Sequence, residues 1–220
     1  MTQHRKGLVL DFGGVLTTPL LPAALAFERR DGLAEGTLLT GLYLDPEGIR
    51  LTEELERGTL TQTQWNEAAA GRLGISPDNL MGRIFADLRP EPSMIAAAAA
   101  ARRAGIKVGI LSNSVGLTPW NLYDGYDVEK LYDALVLSEV HGTRKPQPEI
   151  FRLMLEELGL TAEECVFVDD TEQYLPPAAE LGLATVHAVE PAKTVAALEA
   201  LLGIPLTDED MNEEPDRVTP

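Results

Sequence analysis

Short apolar runs that end in a polar residue alternate with longer stretches of helical periodicity along most of the chain. The five apolar runs lie at 8–11, 108–112, 134–138, 165–169 and 184–187. The amphipathic stretches lie at 93–104, 147–159, 172–182 and 190–202. Buried strands that alternate with helices are typical of a parallel sheet covered on both faces. The pattern therefore predicts an α/β fold, a Rossmann-like parallel sheet of about five strands.

The connection between the first and the second predicted strand is too long for this alternation of strands and helices. More than 90 residues separate the first apolar run from the second, far beyond an ordinary crossover. Helical periodicity occurs there at 22–31, 49–57, 62–73 and 78–88. We therefore expect a Rossmann-like core made of 1–16 and 91–206, with a helical cap at 17–90 inserted after the first strand. The last segment, 207–220, has six acidic residues and one arginine, and is expected to be a disordered acidic tail.

Composition narrows the range of partners. The 220 residues carry a formal net charge of -17, which opposes binding to nucleic acid and to anionic membrane surfaces. The single cysteine, Cys165, excludes an intrachain disulfide and favours a reducing compartment. The longest apolar run, 94–101, is too short to span a bilayer, and the N-terminus does not resemble a secretory signal. A cytoplasmic location is expected, whereas the composition leaves the oligomeric state open.

Chemically active residues follow the predicted strands. In open parallel sheets, ligands bind where the strands end at their carboxyl edge. The polar and glycine residues expected at that edge are Asp11, Gly13, Gly14, Ser112, Asn113, Asp169 and Asp170, with Lys145 in a nearby loop. Each of them alone is typical of turns and helix caps. Together they predict a site that combines carboxylates, a hydroxyl group and a lysine.

The order of these residues resembles the haloacid dehalogenase-like hydrolase superfamily. The matching stretches are GLVLDFGGVL at 7–16, IKVGILSNS at 106–114, LVLSEVHGTRKPQPEIF at 135–151 and CVFVDDTEQYLPPAAELGLATV at 165–186. The third and fourth stretches resemble the subgroup that contains the phosphatase-like N-terminal domain of soluble epoxide hydrolase. That superfamily places a helical cap after the first motif, which agrees with the predicted insertion.

The resemblance implies a Mg²⁺-dependent phosphatase that acts on a small phosphorylated metabolite. Asp11 would be the nucleophile that forms an aspartyl-phosphate, and Lys145 would keep Asp11 ionised and neutralise phosphate. We expect Lys145 to carry little packing, as a loop lysine. The implied metal ligands are Asp11, Gly13 through its carbonyl group, Asp169 and Asp170. The implied phosphate ligands are Gly13, Gly14, Ser112, Asn113 and Lys145.

Gly13 departs from the family pattern. Phosphatases of this superfamily usually have an aspartate there, whose side chain protonates the leaving group and activates water. Glycine lacks that side chain, and general acid–base catalysis is typically worth about 10²–10⁴-fold. We therefore expect an impaired or specialised enzyme, for example one whose leaving group, such as an acyl or aryl phosphate, needs no proton.

Three alternatives stay open. The cap could supply a substitute acid from its charged cluster, which is Glu53, Glu54, Glu56 and Arg57. The protein could be a non-catalytic or regulatory member that binds a small molecule. The third alternative is a 2-haloacid dehalogenase, which also lacks the second aspartate and needs no metal. It is disfavoured because the acidic pair at 169–170 would raise the pKa of the nucleophile, and a bound metal would offset that effect. No lysine occurs between Lys6 and Lys107, which disfavours Schiff-base chemistry in the cap.

Overall fold

A five-stranded parallel sheet forms the centre of the protein. The computed structural model describes residues 5–207, so residues 208–220 of the predicted tail lie outside the described part of the chain. The strands are β1 (Gly7–Leu10), β2 (Lys107–Ser112), β3 (Ala134–Leu137), β4 (Cys165–Asp169) and β5 (Ala184–His187). They are arranged in the order β3-β2-β1-β4-β5, and every neighbouring pair is parallel. The predicted α/β fold is confirmed.

Ten α-helices are described within residues 5–207. Those between β1 and β2 are α1 (Leu20–Asp31), α2 (Pro46–Glu56), α3 (Gln62–Leu73), α4 (Leu80–Ile84) and α5 (Pro92–Arg103). Those that follow β2 are α6 (Val128–Leu131), α7 (Ser138–His141), α8 (Pro148–Leu158), α9 (Leu175–Glu180) and α10 (Pro191–Leu202). None of them is long and apolar enough to cross a membrane.

The sheet is buried because alternate side chains of each strand face opposite helical layers. In β1, Leu8 and Leu10 pack in the cluster that includes Met94 of α5 and Leu198 of α10. Val9 lies on the other face, in the cluster that contains residues of α8 and α9. Continuous apolar strands are needed for this arrangement, since β1 and β4 at the centre of the sheet are buried along their whole length.

The helices α1 to α4 have an apolar core of their own. Phe27, Leu55, Trp65 and Leu80 are all buried in one cluster that is separate from the two clusters of the sheet. A π-helix over Leu39–Leu44, which periodicity did not predict, connects α1 to α2. We refer to α1 to α4 together with this π-helix as the cap.

The two chain segments that join the cap to the core lie side by side. Thr17 forms an isolated antiparallel bridge with Pro90, and the Glu91 amide donates a hydrogen bond to the Leu16 carbonyl at 2.9 Å. The cap therefore leaves the core and returns to it at a single place, directly after β1.

Candidate active site

Asp11 and Asp169 lie next to each other at the carboxyl edge of the sheet. β1 and β4 pair in parallel register with Leu10 opposite Val168, and each aspartate is the next residue of its chain segment. The Asp11 amide donates to the Val168 carbonyl at 2.9 Å, which continues the strand pairing by one residue. Asp11 is 8% exposed and Asp169 is 0% exposed. The sheet topology therefore brings together two carboxyl groups that are far apart in sequence.

Lys145 bridges these two carboxyl groups. Its Nζ lies 2.7 Å from Asp11 Oδ1 and 2.6 Å from Asp169 Oδ2. The side chain is 1% exposed, and its Nζ lies 5.8 Å from the Phe167 ring centroid and 5.4 Å from that of Tyr174. The interpretation of Lys145 as a loop residue with little packing is wrong, because the side chain passes from the loop into the protein interior.

A third carboxyl group completes the cluster. Oxygen atoms of Asp11, Asp169 and Asp170 all lie within 4.8 Å of one another. Asp170 approaches Asp11 closely because residue 14 is glycine: its φ is +76°, and a Cβ there would lie 2.2 Å from Asp170 Oδ2. Three carboxyl groups therefore face a single ammonium group in a buried place. Such an oxygen-rich, negatively charged pocket fits a hard divalent cation such as Mg²⁺.

The three aspartates differ in the hydrogen bonds that their carboxylate oxygens already accept. Asp169 Oδ2 accepts from Lys145, and Asp169 Oδ1 accepts from the Thr171 amide at 2.8 Å. Asp170 Oδ1 accepts from the Thr171 hydroxyl at the longer distance of 3.2 Å. The geometry therefore favours Asp11 and Asp170 as direct cation ligands, with Asp169 holding Lys145 in place.

The charges of the cluster shift its pKa values. Burial raises the pKa of Asp11 to about 8, against the opposing charge of Lys145 and with added repulsion from Asp169 and Asp170. Burial and the Asp169 charge also raise the pKa of Asp170. Burial alone would lower the pKa of Lys145, but Asp11 and Asp169 outweigh it and raise that pKa above its usual value. The cluster has three carboxyl groups and one ammonium group, so a bound cation would offset its excess of negative charge.

Ser112, at the end of β2, is held by an aromatic side chain from the loop that follows this strand. The Tyr123 hydroxyl donates to Ser112 Oγ at 2.9 Å. Tyr123 is buried and packs edge-on against Phe12, with ring centroids 4.6 Å apart. Ser112 is itself 2% exposed. Tyr123 therefore fixes the side chain that was predicted to bind phosphate.

The Asn113 side chain clamps the backbone of Lys145. Asn113 Oδ1 accepts from the Lys145 amide at 2.8 Å, and Asn113 Nδ2 donates to the Lys145 carbonyl at 3.2 Å. Asn113 was expected as a phosphate ligand and not as a partner of Lys145. No spacing in the sequence signals this clamp, because the two residues belong to separate loops that meet only in the folded protein.

The two glycines after β1 have different surroundings. The Gly14 amide donates to Thr17 Oγ1 at 3.0 Å, which occupies the donor that was predicted to bind phosphate. Gly13 is not among the glycines with positive φ, and a Cβ built on it would lie 3.3 Å from two methyl carbons of Leu20. An apolar side chain of the cap thus lies against the position from which the family's acid would project.

Part of the charged cap cluster contacts the loop that carries Lys145. Arg144 Nε lies 2.5 Å from Glu56 Oε2, and Arg144 Nη1 lies 3.2 Å from Glu53 Oε1. Glu54, by contrast, pairs with Arg50 on its own helix. Burial raises the pKa of Glu56, although Arg144 opposes that shift. The structure thus brings Glu53 and Glu56 to the edge of the site but leaves Glu54 outside it.

Hydrogen bonds of Arg57 and Gln62 also fix the cap on the core. Arg57 Nη1 donates to Gln147 Oε1 at 2.6 Å, two residues beyond Lys145. Gln62 of α3 donates to the Val115 carbonyl at 3.0 Å and accepts from the Trp120 amide at 2.9 Å. The cap therefore contacts both the loop after β2 and the loop of Lys145.

These features define a class of protein: a capped α/β enzyme with a buried aspartate and lysine at the carboxyl edge of its parallel sheet. The model of the haloacid dehalogenase-like hydrolase family matches residues 5–182. The chain belongs to this family, and the predicted resemblance is confirmed.

Curated relatives agree with this assignment. The chain is 30% identical to acyl-CoA dehydrogenase family member 10 of Mus musculus, over 97% of this chain and 21% of that protein. It is 28% identical to bifunctional epoxide hydrolase 2 of Mus musculus, over 88% of this chain and 38% of that protein. It is also 23% identical to a sesquiterpene phosphatase of Aspergillus oryzae, over 90% of this chain and 97% of that protein. The chain thus spans well under half the length of the first two relatives.

The fold is also similar to solved structures. The magnesium complex of a haloacid dehalogenase family enzyme from Bacteroides thetaiotaomicron superimposes with a TM-score of 0.66. The alignment covers 84% of this chain and 95% of that chain at 22% sequence identity. This likeness supports the α/β fold.

Proposed function

We propose that the chain is a Mg²⁺-dependent phosphatase that transfers the phosphoryl group of a small phosphorylated metabolite to Asp11. The observation that carries this proposal is the cluster in which Lys145 lies between Asp11 and Asp169 while Asp170 lies beside them. Asp11 attacks phosphorus, the bond from phosphorus to the leaving oxygen breaks, and water later hydrolyses the aspartyl-phosphate to inorganic phosphate.

The remaining roles follow from the contacts. Asp11, Asp170 and the Gly13 carbonyl would hold Mg²⁺, which offsets the repulsion between the nucleophile and the substrate anion. Lys145 keeps the Asp11 carboxyl group oriented through its contact with Oδ1. Ser112 and the backbone amides of Gly13, Gly14 and Asn113 would bind phosphate oxygens, with the Gly14 amide exchanging its hydrogen bond to Thr17.

Gly13 restricts the choice of substrate. It offers no acid for the leaving group, and Leu20 packs against the position that such an acid would occupy. We propose that the enzyme prefers leaving groups that depart without a proton, such as the carboxylate of an acyl phosphate. Relatives named as phosphatases, such as the sesquiterpene phosphatase, support phosphoryl transfer as the reaction, and the cap would choose the substrate.

A phosphate-release assay with three substrates tests this function. Acetyl phosphate, p-nitrophenyl phosphate and an alkyl phosphate are compared with Mg²⁺ present and after its removal by EDTA. We expect the rate to fall in that order, to depend on Mg²⁺ and to be abolished by Asp11→Asn. Asp124→Asn, an exposed aspartate in the loop after β2, is the matched control and should leave the rate unchanged.

Three other results would replace or revise the proposal. Binding of Mg²⁺ and phosphate without turnover of any of the three substrates would favour the non-catalytic member. Release of chloride from 2-chloropropionate without added metal would favour the dehalogenase. Ordinary rates on the alkyl phosphate would show that another residue acts as the acid.

A further inference from the structure

Phe12 and Ser112 lie at the carboxyl ends of two neighbouring strands. Phe12 is two residues beyond the end of β1, and Ser112 is the last residue of β2. Two residues earlier on each segment, Leu10 pairs with Ile110 in parallel register. Phe12 directly follows the candidate nucleophile Asp11, and Ser112 is the hydroxyl residue expected to bind phosphate. The relative position of these two segments therefore decides how the nucleophile and the hydroxyl group face a substrate.

Tyr123 contacts both of these segments. Its ring packs edge-on against Phe12, with ring centroids 4.6 Å apart, and its hydroxyl donates to Ser112 Oγ at 2.9 Å. The Tyr123 amide donates to Asn121 Oδ1 at 2.9 Å, and its carbonyl accepts from the Tyr126 amide at 3.1 Å. The backbone of Tyr123 is thus held in place as well. Tyr123 therefore forms a fixed support that connects the ends of two strands.

The hydrogen bond between the two hydroxyl groups leaves Ser112 able to donate. A serine hydroxyl has one hydrogen to donate and two lone pairs that accept. The hydrogen of Tyr123 occupies one lone pair of Ser112 Oγ, so the hydrogen of Ser112 itself stays available for another partner. Burial raises the pKa of the Tyr123 hydroxyl above its usual value, so this group keeps its hydrogen throughout the neutral pH range.

Burial also limits the partners of the two hydroxyl groups. Tyr123 and Ser112 are both buried, so bulk solvent does not compete for the bond between them. A buried phenol needs an acceptor, because an unpaired hydroxyl group loses the hydrogen bond that water would provide. Without the Tyr123 hydroxyl, the Ser112 hydroxyl could rotate and donate to an acceptor within the protein, which would direct its hydrogen away from a substrate.

We propose that Tyr123 is a positioning residue for phosphate binding, because its hydroxyl directs the hydrogen of Ser112 toward a bound phosphate. This inference rests on the proposed phosphatase function. Tyr126 has no share in the role: its ring packs on the same Phe12 ring, with centroids 4.7 Å apart, but no hydrogen bond joins it to Ser112 within residues 5–207.

Phosphate binding by four proteins tests the proposal. Calorimetry at saturating Mg²⁺ measures the affinity for inorganic phosphate of the wild type, Tyr123→Phe, Ser112→Ala and the variant with both changes. Tyr123→Phe keeps the ring against Phe12 and removes only the hydroxyl group. We expect it to weaken phosphate binding by about threefold to tenfold, the value of one hydrogen bond. In the Ser112→Ala background the same change should cost less than about twofold, because no serine hydrogen is left to direct.

Tyr126→Phe is the matched control, because it removes a hydroxyl group from the second tyrosine on the Phe12 ring. It should leave the phosphate affinity within about twofold of its starting value in either Ser112 background. Thermal unfolding is measured for every variant. An effect of Tyr123→Phe that is equally large with and without the Ser112 hydroxyl would show a structural role and overturn the proposal. Unchanged or tighter phosphate binding in Tyr123→Phe would overturn it as well.

Turnover of the three phosphate substrates separates this inference from the phosphatase function. A Ser112-dependent effect of Tyr123→Phe on phosphate binding, in a protein that hydrolyses none of them, would support the role of Tyr123 and reject the phosphatase. Hydrolysis together with equal effects of Tyr123→Phe in both Ser112 backgrounds would keep the phosphatase and reject the role of Tyr123. A wild-type protein that binds no phosphate would overturn both.

Discussion

The edge of the sheet and the interior of the cap handle buried polar groups in opposite ways. At the sheet, Asp11 and Asp169 share the single ammonium group of Lys145. In the cap, the carboxyl group of Glu28, which is 1% exposed, accepts hydrogen bonds from two backbone amides, at 2.8 Å from Gly36 and 2.6 Å from Leu38. The buried carboxyl group in the cap is thus stabilised by two peptide N–H dipoles, whereas the two carboxyl groups at the sheet share one cation.

This difference distinguishes a carboxyl group with a structural role from carboxyl groups that can take part in a reaction. A buried carboxylate with two amide donors holds a loop in place, here the turn that precedes the π-helix. A buried carboxylate with a shared lysine retains the capacity to bind a cation and to attack an electrophile. In the cap, Trp65 lines an apolar cavity, and its Nε1 has no hydrogen-bond partner among residues 5–207. Under the proposed function, the core would determine the reaction and the cap would determine what is bound.

The largest expected effect comes from Lys145→Met, which removes the cation shared by the two carboxyl groups. We expect kcat to fall by about 10²–10³-fold, as when an electrostatic group at a reacting oxygen is lost. The free energy of unfolding should also fall, by up to ~3 kcal/mol, because buried charges lose their partner. Phosphate release and urea unfolding are the measurements.

The control for this variant is Lys107→Met. Lys107 Nζ donates to the Leu158 carbonyl at 2.6 Å at the opposite end of β2 from the site. Its loss should leave kcat within twofold of the wild-type value, a difference of about 0.4 kcal/mol in activation free energy. A loss below about threefold for Lys145→Met would remove this lysine from the reaction.

The second prediction concerns the boundary between the two regions, where Leu20 faces Gly13. Gly13→Asp alone should add little, because its Cβ would crowd Leu20. The double variant Gly13→Asp with Leu20→Ala should raise kcat on an alkyl phosphate by about 10–10³-fold, since it introduces the missing acid and makes room for it. The gain on acetyl phosphate should be smaller, because that leaving group needs no proton.

Leu20→Ala alone is the control, and thermal unfolding is measured for all three variants. If the double variant folds and binds Mg²⁺ but gains nothing on the alkyl phosphate, a single missing group does not explain the behaviour of this site. That result would favour the non-catalytic member.

The third prediction uses the competition between a proton and Mg²⁺ at Asp11. The pKa of Asp11 is raised to about 8, so the metal-free carboxyl group is largely protonated at pH 6. Mg²⁺ must displace this proton, and its affinity should rise by up to about tenfold per pH unit below pH 8 and then level off. Calorimetry in buffers of different ionisation enthalpy measures both the affinity and the released proton.

The stability of the metal-free protein should also depend on pH through Asp11, and it should fall as the pH rises. Because the folded-state pKa lies above the ordinary value of 3.8, the fold disfavours ionised Asp11. The contribution of this group to stability is present below about pH 4 and is lost as the pH rises toward 8. Asp11→Asn should flatten that part of the stability profile, and an unchanged slope would contradict the assignment.

The smallest effect is expected at the contact between Arg144 and the cap. Glu56→Gln should raise KM by about threefold to tenfold with little change in kcat, because a largely buried ion pair between cap and core loses one charge. Glu54→Gln, whose native partner is Arg50 on the exposed face of the same helix, is the control. A fall in kcat confined to the alkyl phosphate would instead identify Glu56 as the substitute acid.

The sequence by itself determined the order of buried strands and the residues that follow them. Buried strands of a parallel sheet are continuous apolar runs, which are easy to recognise in a sequence. The carboxyl ends of these strands meet at one edge of the sheet, however the side chains pack. Asp11, Ser112, Asp169 and Asp170 could therefore be assigned to one place from their positions alone. The length and helical periodicity of the connection after β1 predicted the helical insertion, and the family motifs implied the roles of Asp11 and Lys145.

Only the tertiary structure decided how these residues are held and what the cap encloses. The Asn113 clamp on Lys145, the Tyr123 contact with Ser112 and the approach of Leu20 to Gly13 join segments whose spacing along the chain carries no signal. The cavity beside Trp65 has the same origin, because its volume depends on how four helices and a π-helix pack. Periodicity shows which face of a helix is buried, but it contains no information about the space left between the buried faces.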